Sequence, residues 1–143
     1  MNINEIKIMC EKDVKIDSTD LDGYSISIPT LANKYHQLAF DERKVLRFLQ
    51  SEYNVLLRQR WLYYSGKAND DVYDKEPFDL KVLKNDMEMF LNADPKIIEM
   101  KDRVGEQTDK INLIDETAKK IIAASFNISN TIKWRKFLAG DLT

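Results

Sequence analysis

From residue 96 to residue 138 the chain contains no proline and one glycine, Gly105. Across that span apolar side chains return every three or four positions: Met100, Val104, Ile111, Ile114, Ala118, Ile121, Ile128 and Ile132. A 3.6-residue turn puts such positions on one face, so the spacing predicts a long amphipathic helix. Gln107 and Ser125 fill places in the same stripe. Gly105 is a candidate break, because glycine costs a helix interior roughly 1 kcal/mol relative to alanine. A seam of this length is coiled-coil-like, and a small domain that cannot bury it finds a partner in another copy.

The rest of the chain points the same way. All 143 residues hold only four Gly and three Pro, with 43% hydrophobic and 32% charged residues. That composition supports a packed core and disfavours disorder. Ile3, Ile6, Met9 and Cys10 predict a short helix over 3–12. Residues 14–25 are rich in Asp, Ser, Thr and Gly and should interrupt it. YSISIP (24–29) alternates as a short strand would. Ser27 before Ile28-Pro29 reads as a helix start, since proline is tolerated in a first turn. Leu31, Tyr35, Leu38, Val45, Leu49, Leu56 and Tyr63 continue that helix, with a division expected near Phe40-Asp41 and a C-terminal cap at Gly66. A polar connection follows over 67–76, then a helix from Pro77 ending at Asn92. Asp94-Pro95 supplies the N-cap and first turn of the last helix. The expected fold is all-α: a small helical domain with a long C-terminal helical region.

Several chemistries are excluded. One Cys (Cys10) cannot form an intramolecular disulfide or a thiolate zinc site, and one His (His36) cannot build a multi-histidine centre. There is no Gly-rich phosphate loop, Ser-His-Asp order or HExxH motif. Asp70, Asp71 and Asp74 lack the spaced ligand loop of a cation site and read as a solvated connection. No metal or cofactor is expected, and no enzymatic activity. No apolar run reaches the roughly 20 residues of a membrane span, and the first residues lack a signal-peptide core. A soluble cytoplasmic protein is the expectation.

The net charge of −2 argues against nucleic acid until it is resolved along the chain. Between residues 43 and 67 the charges are Arg43, Lys44, Arg47, Arg58, Arg60 and Lys67 against Glu52 alone. That stretch carries +5, leaving −7 for the remainder. At about 100° per residue, Arg43, Arg47, Asn54, Arg58 and Trp61 fall within roughly 60° of one another. Cations that hold phosphates beside rings that stack on bases are the chemistry of single-strand binding, and Trp61, Tyr63 and Tyr64 are the rings at hand. The plainer alternative is a solvated basic face with tyrosines in the core. Arg60 projects instead toward Leu49, Tyr53 and Tyr64; there it requires an acid partner, a subunit interface or a bound anion. A second cluster, Lys133-Trp134-Arg135-Lys136, suits a helix C-terminus.

Four segments carry a family resemblance: KDVKIDSTDL (12–21), LRQRWLYYSGKA (57–68), LNADPKIIEMK (91–101) and IKWRKFLAG (132–140). Their order and spacing resemble the UvsY family, recombination mediators of T-even-like bacteriophages, over about residues 11–140. The resemblance implies a non-enzymatic helical protein that assembles into rings of six or seven subunits and binds single-stranded DNA. It implies further partners: a RecA-like phage recombinase (UvsX), loaded onto DNA in place of the phage single-stranded-DNA-binding protein, in the cytoplasm of the infected bacterium. The family's LKARLD stretch, with a Lys and an Arg implicated in DNA binding, aligns with Arg58 and Arg60, both still cationic. Trp61 and Leu62 depart from the family's Leu and Asp. The family's C-terminal region is associated with oligomerisation, which here assigns Val104, Ile111, Ile114, Ala118, Ile121, Ile128 and Ile132 to assembly. The expected division is a DNA-binding region over 1–76 and an oligomerisation region over 77–143. A helical scaffold without DNA binding remains the alternative.

Overall fold

The computed structural model describes residues 1–141, and among them there are helices and turns but no strand. Positions 142 and 143 of the expected C-terminal region lie outside the described residues. α1 (Ile3–Asp13) opens on a reciprocal cap. The Asn2 side chain accepts from the Glu5 N–H, and the Glu5 carboxylate accepts from the Asn2 N–H, both at 2.9 Å. Two of the four orphan donors of a helix start are thereby satisfied.

α2 (Leu21–Tyr64) begins ahead of Ser27. The reason is Asp20, whose carboxylate accepts from the Gly23 N–H at 3.0 Å while its carbonyl accepts from the Tyr24 N–H at 3.1 Å. Asp20 therefore starts the helix, and Pro29 lies inside it rather than in the first turn. YSISIP is helical, not extended, and Ile28 and Leu31 pack three residues apart against the core. The helix also runs unbroken through Phe40-Asp41, where no Pro removes a helical hydrogen bond and no Gly loosens the backbone.

At the far end Gly66 has φ +72°. Its N–H donates to the Tyr63 carbonyl at 3.2 Å, and the Lys67 N–H reaches back to Leu62 at 2.9 Å. This paired wrap of a left-handed residue is a Schellman stop, the cap expected at that glycine.

The polar connection contains a short helix, α3 (Asp70–Lys75). The helix expected from Pro77 does not form there. Residues 77–83 have no regular structure, a 3-10 turn occupies Lys84–Asp86, and α4 covers only Met87–Asn92. Phe78 joins a ring cluster with Tyr63, Tyr64 and Phe90, at centroid spacings of 5.3–6.1 Å. Leu80 and Leu83, counted in the helical stripe, stay exposed. α5 (Pro95–Leu138) ends the chain and passes through Gly105 without a break. Asp94 caps it, accepting from the N–H groups of Lys96 at 2.8 Å and Ile97 at 3.2 Å.

Packing divides the chain at 43/44 and 108/109. The first unit, residues 1–43 with 109–141, packs α1, the first half of α2 and the second half of α5. Ile6, Cys10, Tyr35, Ala39, Ile114, Ala118 and Ile121 form its core. Asp13 locks α1 to α2: its carboxylate accepts from Lys34 Nζ and Tyr35 Oη, both at 2.7 Å. Within this unit the α2 and α5 segments are antiparallel, since Arg43 pairs with Asp115 while Arg135 donates to the carbonyl of Ser18, ahead of α2.

The second unit, residues 44–108, holds the remaining halves of α2 and α5 with α3 and α4 between them in sequence. Leu49, Tyr63 and Ile97 are its buried apolar residues.

Candidate nucleic-acid interface

The α2 segment of the second unit has two unlike faces. On one, Lys44, Arg47, Asn54, Arg58 and Trp61 are all exposed. Among the described residues none of the three cations has an ion pair. Seventeen residues at 1.5 Å rise span about 26 Å from Lys44 to Trp61. Just past the Gly66 stop, Lys67 brings its Nζ to 5.2 Å from the Trp61 ring centre. Cation and indole thus share one end of the stripe. Glu52, the single acid between 43 and 67, keeps one carboxylate oxygen buried with no hydrogen-bond partner among the described residues.

Arg60 sits on the other face and is only 5% exposed. Of the alternatives open to it, the structure realises the acid partner. Its Nε donates to Asp94 at 2.6 Å, and its two terminal nitrogens donate to Glu76 at 2.9 and 3.1 Å. The guanidinium also lies over the Tyr63 ring at 4.2 Å and near Tyr64 at 5.2 Å. Burial alone would lower its pKa, but the hydrogen bonds with Glu76, Tyr64 and Asp94 overturn that and raise it. Burial likewise opposes ionisation of Asp94, yet hydrogen bonds from Tyr64 and Arg60 hold its pKa below the ordinary value. The Glu76 carboxyl is lowered chiefly by its hydrogen bond from Arg60. Asp94 therefore does three things. One oxygen caps α5, while the other accepts from Arg60 and from Tyr64 Oη at 2.6 Å.

The expected set is thereby sorted. Lys44, Arg47, Arg58, Trp61 and Lys67 are presented to solvent in the second unit. Arg43, in the first unit, is committed to both oxygens of Asp115 at 2.8 and 3.0 Å. Arg60 is occupied within its own chain. Of the three rings, Tyr63 is 3% exposed and Tyr64 is half-buried in the aromatic cluster, so Trp61 alone offers a free face. The partners of Arg60 were the part sequence reasoning missed. Its place among apolar positions signalled that a partner was needed, and Asp94 was legible as a cap, but nothing local joined the two.

The expected assembly seam is placed differently from the reasoning that suggested it. In the first unit Ile111, Ile114, Ala118, Ile121 and Ile128 are 0–6% exposed, buried within their own chain. Val104 is half-buried in the second unit, and Ile132 is 41% exposed. One chain does bury most of the stripe, because α1 and α2 supply the opposing surface. What stays open on α5 is another set: Ile122, Phe126, Ile132, Trp134, Phe137 and Leu138 are 41–74% exposed. Trp134 and Phe137 stack on each other at 5.5 Å.

An all-helical chain with an unpaired cationic stripe ending in an exposed indole has the makings of a non-enzymatic single-strand binder. Comparison with known proteins makes that class specific. The family model for the recombination, repair and ssDNA binding protein UvsY matches residues 9–141, and the chain belongs to this family of recombination mediators. The recombination protein uvsY of Enterobacteria phage T4 is 23% identical over 140 residues, covering 98% of this chain and 99% of that protein. Two crystal structures of the bacteriophage T4 recombination mediator protein UvsY share the fold. The first has a TM-score of 0.84 at 23% identity, covering 97% of this chain and 98% of that one. The second, in another lattice, has a TM-score of 0.85 at 22% identity, covering 96% and 99%. No helix among the described residues is long and apolar enough to cross a membrane.

Proposed function

We propose that single-stranded DNA runs along the exposed face of α2, with Lys44, Arg47, Arg58 and Lys67 on its phosphates and Trp61 against a base. The observation that carries this reading is the exposure of these four cations, none with an ion pair among the described residues, ending beside the exposed indole. One chain contributes few phosphate contacts, so its own affinity is modest. Assembly into a ring of six or seven copies multiplies it, since linked weak sites gain on the order of 10²–10⁴ in avidity. The DNA held on such a ring is handed to a RecA-like phage recombinase at the expense of the single-stranded-DNA-binding protein, in the cytoplasm of the infected host. The step is exchange by differential binding and involves no covalent chemistry. Assembly rests on the exposed end of α5 rather than on the buried stripe, with Ile132 the member of the expected seam that both readings share.

The test is fluorescence anisotropy with a labelled oligonucleotide over a salt series. Each cation lost from a single-strand site lowers the slope of log K against log salt by about 0.7. Arg47→Ala with Arg58→Ala is expected to weaken binding and reduce the slope by about 1.4. An unchanged slope overturns the assignment of the α2 face, and no binding of the unaltered protein at about 50 mM salt favours a scaffold without DNA.

A further inference from the structure

On the Arg60 side of α2, within the second unit, lies a cleft of about 470 Å³ that Arg60 and Tyr63 help to line. That is within the usual range of roughly 300–1,000 Å³ for pockets that take small molecules. Its apolar lining includes Leu56, Leu62 and Val72, and its polar lining includes Gln59, Lys67 and Asn69. The two amides are exposed and make no side-chain hydrogen bond within the described residues. Asn69 stands at the N-cap position of α3 yet makes no side-chain capping bond. Gln59 likewise has no hydrogen-bond partner among the described residues. An amide carries one acceptor and two donors, so the pair offers both kinds of group to the same cleft. Lys67 lines this cleft and also stands over Trp61, so one residue borders both the stripe and the cavity.

We infer that this cleft receives a nucleobase from the single strand bound along α2, held by its edge on Gln59 and Asn69 and by its face on Leu62 and Val72. The inference rests on the DNA-binding reading above and adds a second kind of contact to it. Single-stranded bases are unstacked, so their hydrogen-bonding edges and their faces are open to protein groups. Phosphate contacts carry the strand past Arg47 and Arg58 without reading it. A base beyond Trp61 reaches the cleft past Lys67, the residue that borders both. Binding then has a component set by bases as well as the one set by phosphates, and the two separate experimentally because only the second depends strongly on salt.

The full-length protein is titrated with a labelled oligonucleotide and with the same strand made abasic at every position. A Trp61→Ala background removes stacking on the indole, so any remaining penalty for missing bases comes from elsewhere. In that background the abasic strand is expected to bind about 3- to 10-fold more weakly, as for one or two net hydrogen bonds lost. Adding Gln59→Ala and Asn69→Ala should remove the penalty and leave the salt slope unchanged. Val72→Phe, which fills the cleft from an exposed position, should do the same while keeping both amides. Equal binding of the two strands in the Trp61→Ala background, with a normal salt slope, overturns the cleft and leaves the phosphate face standing. A penalty that survives both the amide changes and Val72→Phe also overturns it. Absence of salt-dependent binding to either strand overturns the DNA-binding reading itself.

Discussion

Two arginines two residues apart do different work. Arg58 is exposed and has no ion pair among the described residues, whereas Arg60 is buried against Asp94 and Glu76. Removing one member of a buried ion pair leaves an uncompensated charge and costs about 3–5 kcal/mol. Arg60→Ala is thus expected to lower stability by that amount in urea denaturation, while Arg58→Ala changes it by less than about 0.5 kcal/mol. Loss of DNA binding in Arg60→Ala would follow loss of the fold, and comparing the two variants at matched folded fraction separates the effects. The same network fixes a pH dependence. Glu76 and Asp94 both have lowered folded-state values. Carboxylates of this kind stabilise the fold above their unfolded pKa, and the contribution is lost as pH falls through the folded one. Glu76→Gln should therefore cost stability at neutral pH, by less than about 1 kcal/mol because that side chain is 45% exposed. The gap from the unaltered protein should close as pH falls below the ordinary Glu value of 4.5. Melting temperatures of the two proteins across that range provide the check.

Among elements, α2 and α5 show how tertiary packing overrides local breakers. Pro29 lies within α2 and Gly105 within α5, and neither ends its helix. Proline in a helix interior removes a hydrogen bond and is about 3 kcal/mol less favourable than alanine. Ile28 and Leu31 flank it in the core and hold the turn in place. Pro29→Ala should therefore raise stability, by about 1 kcal/mol or more, measured as an upward shift in thermal midpoint. Gly66 is the contrasting case. There the backbone itself requires φ +72°, no side chain competes, and the sequence announces the stop correctly. The helix expected at Pro77 fails for the opposite reason from Pro29. Its spacing is helical, but the ring cluster claims Phe78 and leaves Leu80 and Leu83 to solvent.

For the molecule as a whole, exposed apolar surface marks where a partner is still required. The end of α5 carries Phe126 at 74% and Leu138 at 65% exposure, beside the stacked Trp134 and Phe137. Phe126→Asp together with Trp134→Ala is expected to give smaller species in sedimentation velocity without unfolding the chain, because neither side chain is buried in it. Binding to long single strands should fall with the avidity, while contacts per chain remain. Cutting the chain near residue 100 would not make this test, since it removes Ile111, Ile114, Ala118 and Ile121 from their own core. That distinction marks the boundary of what could be read in advance. Helical periodicity, scarce Gly and Pro, and the caps at Gly66 and Asp94 are local properties, so the all-α fold and the long last helix follow from sequence by itself, whereas the continuity of α2 through Phe40-Asp41 does not. The charge segregation of residues 43–67 is equally local, and so is the face that Arg47, Arg58 and Trp61 share. Which apolar stripe is satisfied inside the chain is not local. Neither is whether an arginine is free or paired. Arg60 meets Asp94 across 34 residues and Glu76 across 16, and Arg43 meets Asp115 across 72. Only the packing of distant segments decided those pairings, because a buried charge or an apolar face is satisfied by whatever the fold brings against it.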